Sequence, residues 1–252
     1  METIIITGAT GKIGKMLTEY FLKEGHEVIG TTTSLQKFND FKTSLSEKGV
    51  STERLHGLEL VFGEPDALEQ AERFLSEGNI SPTVVIHNAR SLDSLTINEK
   101  GETDPQHLIN EYQMAVVFPY QLTQLLKQKG TLKNVIFIAS IYGVVAPNRQ
   151  LYTDLKYSSP IQYGVAKAAQ IHLAKELAVR LADEGIRVNA VSFGGFQGRA
   201  PEGFVAKYEA LTPMGGMLKD EEVIKPVDFL VGEGSSSMTG HNLIVDGGWT
   251  AW

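Results

Sequence analysis

The chain begins with an apolar run, a glycine-rich turn and an amphipathic helical pattern in direct succession. Thr3 to Thr7 has the β-branched composition of a buried strand, and the turn that follows has glycines at positions 8, 11 and 14. Apolar residues at helical spacing come next, namely Met16, Leu17, Tyr20, Phe21 and Leu22. Glycines let a backbone approach a pyrophosphate closely, and a helix N-terminus offers N–H groups to it. The pattern predicts a nucleotide-binding turn, with an ordinary strand-to-helix turn as the alternative.

A tyrosine and a lysine four residues apart form the second informative feature. Tyr163 and Lys167 share one face of a predicted helix. A phenol, with a reference pKa of ~10, acts as a base near neutral pH only when its anion is stabilised. A lysine ammonium one turn away provides that stabilisation, so the pair is a candidate general acid/base.

Composition restricts the classes of function. The 252 residues are 42% hydrophobic and 21% charged, which is typical of one globular α/β domain. The net charge of −7 argues against nucleic acid or an anionic membrane as a partner. There is no cysteine, and we expect no metal site, no signal peptide, no membrane span and a cytoplasmic location.

Predicted strands alternate with predicted helices along the whole chain. Such a pattern indicates a parallel sheet covered by helices on both faces, with ligands at the carboxyl ends of the strands. The predicted strands are 3–7, 27–31, 58–62, 83–87, 135–139, 187–191 and 242–245. The predicted helices are 12–24, 35–48, 67–77, 108–129, 162–182 and 220–231.

The chain resembles the short-chain dehydrogenase/reductase family over nearly its whole length. The motifs that carry the resemblance are 7–14, 87–90, 138–140, 163–167, 185–192 and 238–248. The resemblance implies a single Rossmann domain over residues 1–252, with a doubly wound, seven-stranded parallel sheet and a substrate lid around 194–218. It also implies hydride transfer between a nicotinamide cofactor and an alcohol or carbonyl.

The resemblance also assigns roles to individual residues. Tyr163 would be the general acid/base, Lys167 would assist it and hold the cofactor, and Ser140 would position the substrate oxygen. Cofactor contacts are expected from Gly8, Thr10, Gly11, Lys12, Ile13, Thr31, Thr32, Asn88, Ala89, Tyr163, Lys167 and Gly194.

Three departures from the family pattern stand out. The helix position that usually carries an asparagine of the proton relay is Ala115, and Asn110 is too far away to replace it. Arg90 ends a motif that usually ends in glycine. Lys12 replaces the middle glycine, which gives the turn the spacing of the extended branch of the family, although the rest of the chain resembles the main branch.

The cofactor preference is predicted from the end of the second strand. NAD sites usually carry an acid there, but the sequence at 31–34 is Thr-Thr-Thr-Ser. Lys12 and the hydroxyls suit a 2′-phosphate, although no arginine follows directly. NADP(H) is therefore favoured, with NAD(H) as the alternative.

The substrate is expected to contact Arg90, Tyr142, Arg149, Phe196 and Arg199. The three arginines suit a phosphate or carboxylate, and solvated arginines are the alternative. An insertion at 146–160 weakly resembles members from bacterial surface-sugar pathways, which suggests a sugar or sugar phosphate. The alternatives are a 3-oxoacyl thioester reductase, an epimerase or dehydratase that retains NAD, and a non-catalytic dinucleotide sensor.

The resemblance implies a homotetramer or homodimer assembled through the two long helices and the last strand. Trp252 ends the chain, and free termini usually fray unless they are docked. We therefore expect Trp252 to pack on a neighbouring subunit or near the substrate entrance.

Overall fold

The computed structural model describes residues 1–198, residue 200 and residues 202–252, and these form a seven-stranded parallel sheet. The strand order is β3-β2-β1-β4-β5-β6-β7. The strands are β1 (Thr3–Ile6), β2 (Glu27–Thr32), β3 (Leu55–Glu59), β4 (Val84–His87), β5 (Asn134–Ser140), β6 (Arg187–Phe193) and β7 (Asn242–Val245). The predicted doubly wound α/β fold is confirmed.

Helices cover both faces of the sheet. They are α1 (Lys12–Lys23), α2 (Leu35–Glu47), α3 (Ala67–Glu77), α4 (Pro105–Tyr112), α5 (Phe118–Gln128), α6 (Leu155–Ser158), α7 (Ile161–Leu181), α8 (Glu202–Leu211) and α9 (Asp220–Val231). Buried side chains of α3, α5 and α7 form one core with the sheet, and those of α1, α2 and α9 form the other. Because both faces are covered, the strands are almost continuously apolar.

The strand order reverses between β1 and β4, and the loops after these two strands are tied together. The Thr7 hydroxyl accepts hydrogen bonds from the backbone N–H groups of Asn88 and Ala89, both at 2.9 Å. The Asn88 amide donates to the Thr7 carbonyl at 2.9 Å. These bonds fix the crevice in which ligands of open α/β sheets bind.

The third strand lies three residues earlier than the sequence predicts. β3 pairs with β2 from Leu55 onwards, so the predicted strand 58–62 is wrong in its bounds. The apolar side chains beyond the strand are still buried for another reason. Leu60 is 2% exposed, and Phe62 stacks on Phe118 with ring centroids 3.8 Å apart. The buried apolar residues at 58–62 therefore lie partly in β3 and partly in the loop that follows it.

The predicted single helix 108–129 is interrupted. A π-helical segment, Gln113–Val117, separates α4 from α5. Pro119 has no N–H to donate to the carbonyl of Ala115, which explains why the regular ladder cannot continue there. The sequence also did not predict α8, which follows β6. Among the described residues, no helix is long and apolar enough to cross a membrane.

Candidate active site

Helix α7 presents Tyr163 and Lys167 beneath the carboxyl end of β5. The Lys167 ammonium donates hydrogen bonds to the carbonyl of Ile138, at 2.7 Å, and to the side-chain oxygen of Gln170, at 2.9 Å. Its Nζ lies 6.0 Å from the centroid of the Tyr163 ring. Two acceptors therefore fix the cation within electrostatic reach of the phenol.

Burial makes this lysine easy to deprotonate. Lys167 is 8% exposed, and the loss of hydration together with the positive charge of Arg90 lowers its pKa to about 7. Glu111 acts in the opposite direction and keeps the pKa from falling further. An amine with a pKa near neutrality can exchange protons readily under working conditions.

Ser140 is held against the same helix by two close backbone approaches. It ends β5, and its hydroxyl accepts from the N–H of Tyr142 at 3.2 Å. A Cβ added at Gly143 would lie 2.7 Å from the carbonyl carbon of Lys167, and one at Gly164 would lie 2.9 Å from the carbonyl oxygen of Tyr142. Only glycine permits this contact, which brings Ser140 and Tyr163 to the same cleft.

That cleft has a volume of about 880 Å³ and combines hydroxyls, aromatic rings and two cations. The Arg90 guanidinium carbon lies 4.5 Å from the Tyr163 ring centroid, which is a cation–π distance. Lys207 supplies the second cation. Among the described lining residues there is no aspartate or glutamate. Other described residues of the lining include Ser140, Tyr142, Leu151, Tyr152, Thr153, Ser158, Ser159, Gly194, Phe196, Phe204 and Tyr208.

The structure brings some of the predicted substrate contacts together and separates others. Arg90, Tyr142 and Phe196 line the cleft. The Tyr142 hydroxyl is 2.6 Å from that of Tyr152, and burial raises the pKa of Tyr142. Arg149 is exposed on a 3-10 turn and does not belong to the described lining. Arg199 lies outside the described residues.

The glycine turn after β1 forms a cradle suited to a dinucleotide pyrophosphate. Gly8 has φ +67°, and a Cβ added there would lie 2.8 Å from the Cα of Ala89. Gly11 is the N-cap of α1, and no side chain caps that helix end. The first N–H groups of the helix are therefore not capped by a side chain, which is what a bound phosphate requires. The residues present fit a nicotinamide dinucleotide.

Other predicted cofactor residues shape this cradle. The Thr31 hydroxyl accepts from the N–H of Gly8 at 3.1 Å. The hydroxyls of Thr10 and Thr32 are 3.3 Å apart. Ile13 packs partly buried against the core beneath α1. Thr33 is exposed at the end of β2.

Lys12 and Gly194 connect the cradle with the segment after β6. The Lys12 ammonium donates to the carbonyl of Gln197 and lies 3.9 Å from the ring centroid of Phe196. Gly194 follows β6, and a Cβ there would lie 2.8 Å from the Tyr208 hydroxyl. That hydroxyl accepts from the N–H of Gly195 at 2.6 Å. The segment is thus held beside both the cradle and the cleft.

Comparison with known proteins decides the family. Residues 8–250 match the family model described as "Enoyl-(Acyl carrier protein) reductase". The chain belongs to the short-chain dehydrogenase/reductase family. It is 28% identical to "Uncharacterized oxidoreductase YmfI" of Bacillus subtilis and 27% identical to "Post-translational flagellin modification protein A" of Campylobacter coli, with 98% of each chain covered in both cases.

A solved structure agrees with this assignment. The short-chain dehydrogenase from Leptospira borgpetersenii with bound NAD+ has a TM-score of 0.84 and 27% identity, and the match covers 99% of this chain and 92% of that one. The resemblance predicted from the motifs is confirmed, and the protein is an NAD(P)-dependent dehydrogenase/reductase.

Within this short-chain dehydrogenase/reductase, sequence reasoning missed several residues of the site. Gln170 holds Lys167, and its spacing of three residues on a helix was the available signal. Gln162 is fully buried and donates to the carbonyl of Ser94 at 2.7 Å, which fixes the loop after Arg90. Glu111 is buried one helical turn before Ala115. Its residue type and spacing did not indicate that its charge acts on Lys167.

Proposed function

We propose that this chain interconverts an alcohol and a carbonyl on a sugar or a similar polyhydroxylated compound that carries a carboxylate or phosphate. The cleft chemistry supports the proposal. Two cations, Arg90 and Lys207, line it without a described carboxylate, although the chain has a net charge of −7. Its many hydroxyls match the donors and acceptors of a polyol.

Each catalytic or binding side chain of the site has its own role in the proposed reaction. A bound nicotinamide dinucleotide supplies or accepts the hydride. Ser140 hydrogen-bonds the substrate oxygen, and Tyr163 gives that oxygen its proton in the reducing direction and takes it back in the oxidising direction. Lys167 stabilises the phenolate that results. Arg90 binds the anionic group beside the reacting carbon, since its guanidinium lies on the ring of Tyr163.

The substrate lid, residues 194–218, completes the proposed site. Phe196, Phe204 and Tyr208 face the cleft from this segment. Aromatic side chains there would cover the substrate and reduce the water around the reacting groups. The similarity to a flagellin modification protein is consistent with a surface-sugar substrate, although that name describes the relative only.

NADP(H) remains the favoured cofactor. Helix α2 starts shortly after β2 and has no acid in its first turn, and Thr33 is exposed in the connection between the two. One group opposes this preference. The carboxylate of Glu59, on β3, accepts from the N–H of Leu35 at 3.4 Å and brings negative charge to the same helix end. NAD(H) is therefore the alternative, and Glu59 would be the acid that selects it.

We also propose that the chain assembles as a homotetramer or homodimer through α4 and α7. A second cleft of about 460 Å³ lies between these helices. Its rim exposes large apolar side chains, including Ile109 (50%), Tyr112 (47%) and Val165 (54%). Apolar surface of this kind usually marks an interface.

A thioester substrate is the second candidate. The matching family description names an acyl-carrier-protein reductase, and Leu95, Ile141 and Met217 give the cleft an apolar part. The remaining alternatives have less support. The Ser140, Tyr163 and Lys167 set argues against a non-catalytic sensor, and the motif at 238–248, which resembles the main branch of the family, argues against an epimerase or dehydratase.

Oxidation of NADPH or NADH at 340 nm tests the proposal, using paired oxidised sugars with and without a carboxylate or phosphate. Charge-assisted hydrogen bonds contribute about 1.5–3 kcal/mol, so the anionic member should have a roughly 10- to 100-fold higher kcat/KM. Arg90→Met should remove most of that preference, whereas the exposed Arg180→Met should not. Equal rates with both members, or higher rates with 3-oxoacyl thioesters, would reject the substrate class.

A further inference from the structure

Glu111 is a buried acid that the proposed mechanism leaves unused. It is 4% exposed near the end of α4, and its Oε1 has no hydrogen-bond partner among the described residues. A carboxyl group without partners in a protein interior is energetically costly, and nearly all buried polar groups have partners. The burial of the Glu111 carboxyl group therefore needs a physical explanation.

The charged groups that act electrostatically on Glu111 come from three elements. They are Arg90 in the loop after β4, Lys167 on α7, and His107 on the preceding turn of α4. Burial raises the pKa of Glu111, while these three groups lower it. Among the described ion pairs within 4.0 Å, none includes Glu111. Charged groups that lie farther apart than a direct ion pair are commonly bridged by water.

The spacing along the helix arranges these groups in a row. His107, Glu111 and Ala115 are four residues apart, so they lie on one helical face. That face packs against α7, which carries Tyr163 and Lys167. His107 is partly exposed, and its Nδ1 lies 3.1 Å from the Thr96 hydroxyl. The row therefore leads from the partly solvated side of α4 to the buried ammonium.

Lys167 has the capacity to exchange a proton with this row. An ammonium has three N–H donors, and two are used by Ile138 and Gln170. The third has no hydrogen-bond partner among the described residues. Ala115, which is 6% exposed, has only a methyl side chain and belongs to the π-helical segment that packs against α7.

We propose that Glu111 is a positioning residue that carries protons between Lys167 and His107, and so takes the place that the missing asparagine at position 115 would have. This inference rests on the proposed oxidoreductase function. The approach of the two pKa values supports it: that of Lys167 falls to about 7, and that of Glu111 rises. The two shifts bring the proton affinities of the two groups closer together.

The protons balance in each cycle. In reduction, the substrate carbon gains the hydride from the reduced dinucleotide, and the substrate oxygen gains the proton of the Tyr163 hydroxyl. Lys167 returns a proton to the phenolate and becomes an amine. The Glu111 carboxylate takes up a proton from solvent through His107 and passes it to that amine, which restores the ammonium and leaves Glu111 a carboxylate again. One solvent proton is consumed for each hydride, and oxidation reverses every transfer.

The first test needs neither substrate nor cofactor. Lysine labelled with ¹³C at Cε reports the protonation of Lys167 by NMR, and Lys167→Met identifies its signal. We expect the pKa of Lys167 in Glu111→Gln to fall by roughly 0.5 or more, because a negative charge is removed. The exposed Glu99→Gln should leave it unchanged. An unchanged pKa in Glu111→Gln would overturn the inference even if the enzyme turns over.

The second test is the pH profile of turnover. Glu111→Gln should lower kcat by roughly 10- to 100-fold, at or below the lower end of the range for general acid–base groups, because Glu111 acts through Lys167. KM and cofactor affinity should stay within about three-fold, since Glu111 contacts neither in this scheme. Glu111→Asp should retain more activity, and formate should partly restore Glu111→Ala. A wild-type kcat and pH profile in Glu111→Gln would contradict the role.

His107→Gln provides a variant at a partly exposed position if Glu111→Gln fails to fold. Its kcat should fall several-fold and recover with imidazole buffer, whereas KM should not change. Buffer-independent, wild-type turnover would refute the relay. If the wild type itself turns over no substrate, the proposed function fails, and the NMR titration still decides the coupling.

Discussion

Replacement of Lys167 by methionine should change the stability of the fold in a manner that depends on pH. Below pH ~7 both the native and the unfolded chain carry the lysine proton, and the native state bears the full cost of the buried charge. Between pH 7 and about 10.5 the unfolded state binds more protons, so the stability of the wild type rises with pH. Methionine removes this dependence.

The magnitude follows from the pKa of Lys167. A decrease from 10.5 to about 7 corresponds to an upper limit of about 5 kcal/mol, at ~1.36 kcal/mol for each pH unit. Between pH 6 and pH 9.5 the difference in unfolding free energy between the two proteins should change by roughly 3 kcal/mol. The loss of the bonds to Ile138 and Gln170 also costs about 1–3 kcal/mol for each acceptor, but equally at every pH.

Urea unfolding at fixed protomer concentration measures this difference across the pH range. The unfolding free energy of Lys167→Met, relative to that of the wild type, should be highest at pH 6. This difference should shrink or reverse its sign by pH 9.5. Lys175→Met is the matched control, because Lys175 is exposed on the same helix. A difference between Lys167→Met and the wild type that does not change with pH would refute a depressed lysine pKa.

The remaining predictions concern chemistry, cofactor and assembly. Tyr163→Phe should reduce turnover by at least ~10² but keep cofactor affinity within a few-fold, and retained turnover would remove its assignment as the acid/base. Glu59→Gln should raise the NADPH-to-NADH preference, because a carboxylate leaves the start of α2; an unchanged ratio would show that Glu59 does not select the cofactor. Deletion of Thr250 to Trp252 should weaken assembly in ultracentrifugation, since Trp252 is 80% exposed in the single chain. Unchanged assembly and stability would contradict a docked terminus.

The sheet was predictable because its central strands, β1, β4, β5 and β6, are buried on both faces. The apolar runs from Thr3 and from Val84 have no alternation, and the glycine turn after the first run has few other structural uses. The bounds of β3 were wrong because Leu60 and Phe62 are buried by a loop, and burial in a loop looks like burial in a strand. The spacing of apolar residues alone cannot distinguish a buried loop from a buried strand.

The site was predictable where spacing along one helix determines it. Tyr163 and Lys167 meet because they are four residues apart, whereas Glu111 reaches the same lysine from a different helix. That electrostatic interaction depends on how α4 packs on α7, and the sequence does not encode it locally. The interaction of Lys12 with Gln197 joins residues 185 positions apart and was unpredictable for the same reason.

Titration of the purified protein with NADH and NADPH tests the central claim, a functional dinucleotide site beside Tyr163 and Lys167. Trp249 stacks on the cleft residue Tyr208 with ring centroids 4.4 Å apart, so energy transfer from tryptophan to the reduced nicotinamide should report binding. We expect saturable binding of at least one cofactor, stronger for NADPH. Binding of neither, in folded protein free of retained nucleotide, would contradict the account.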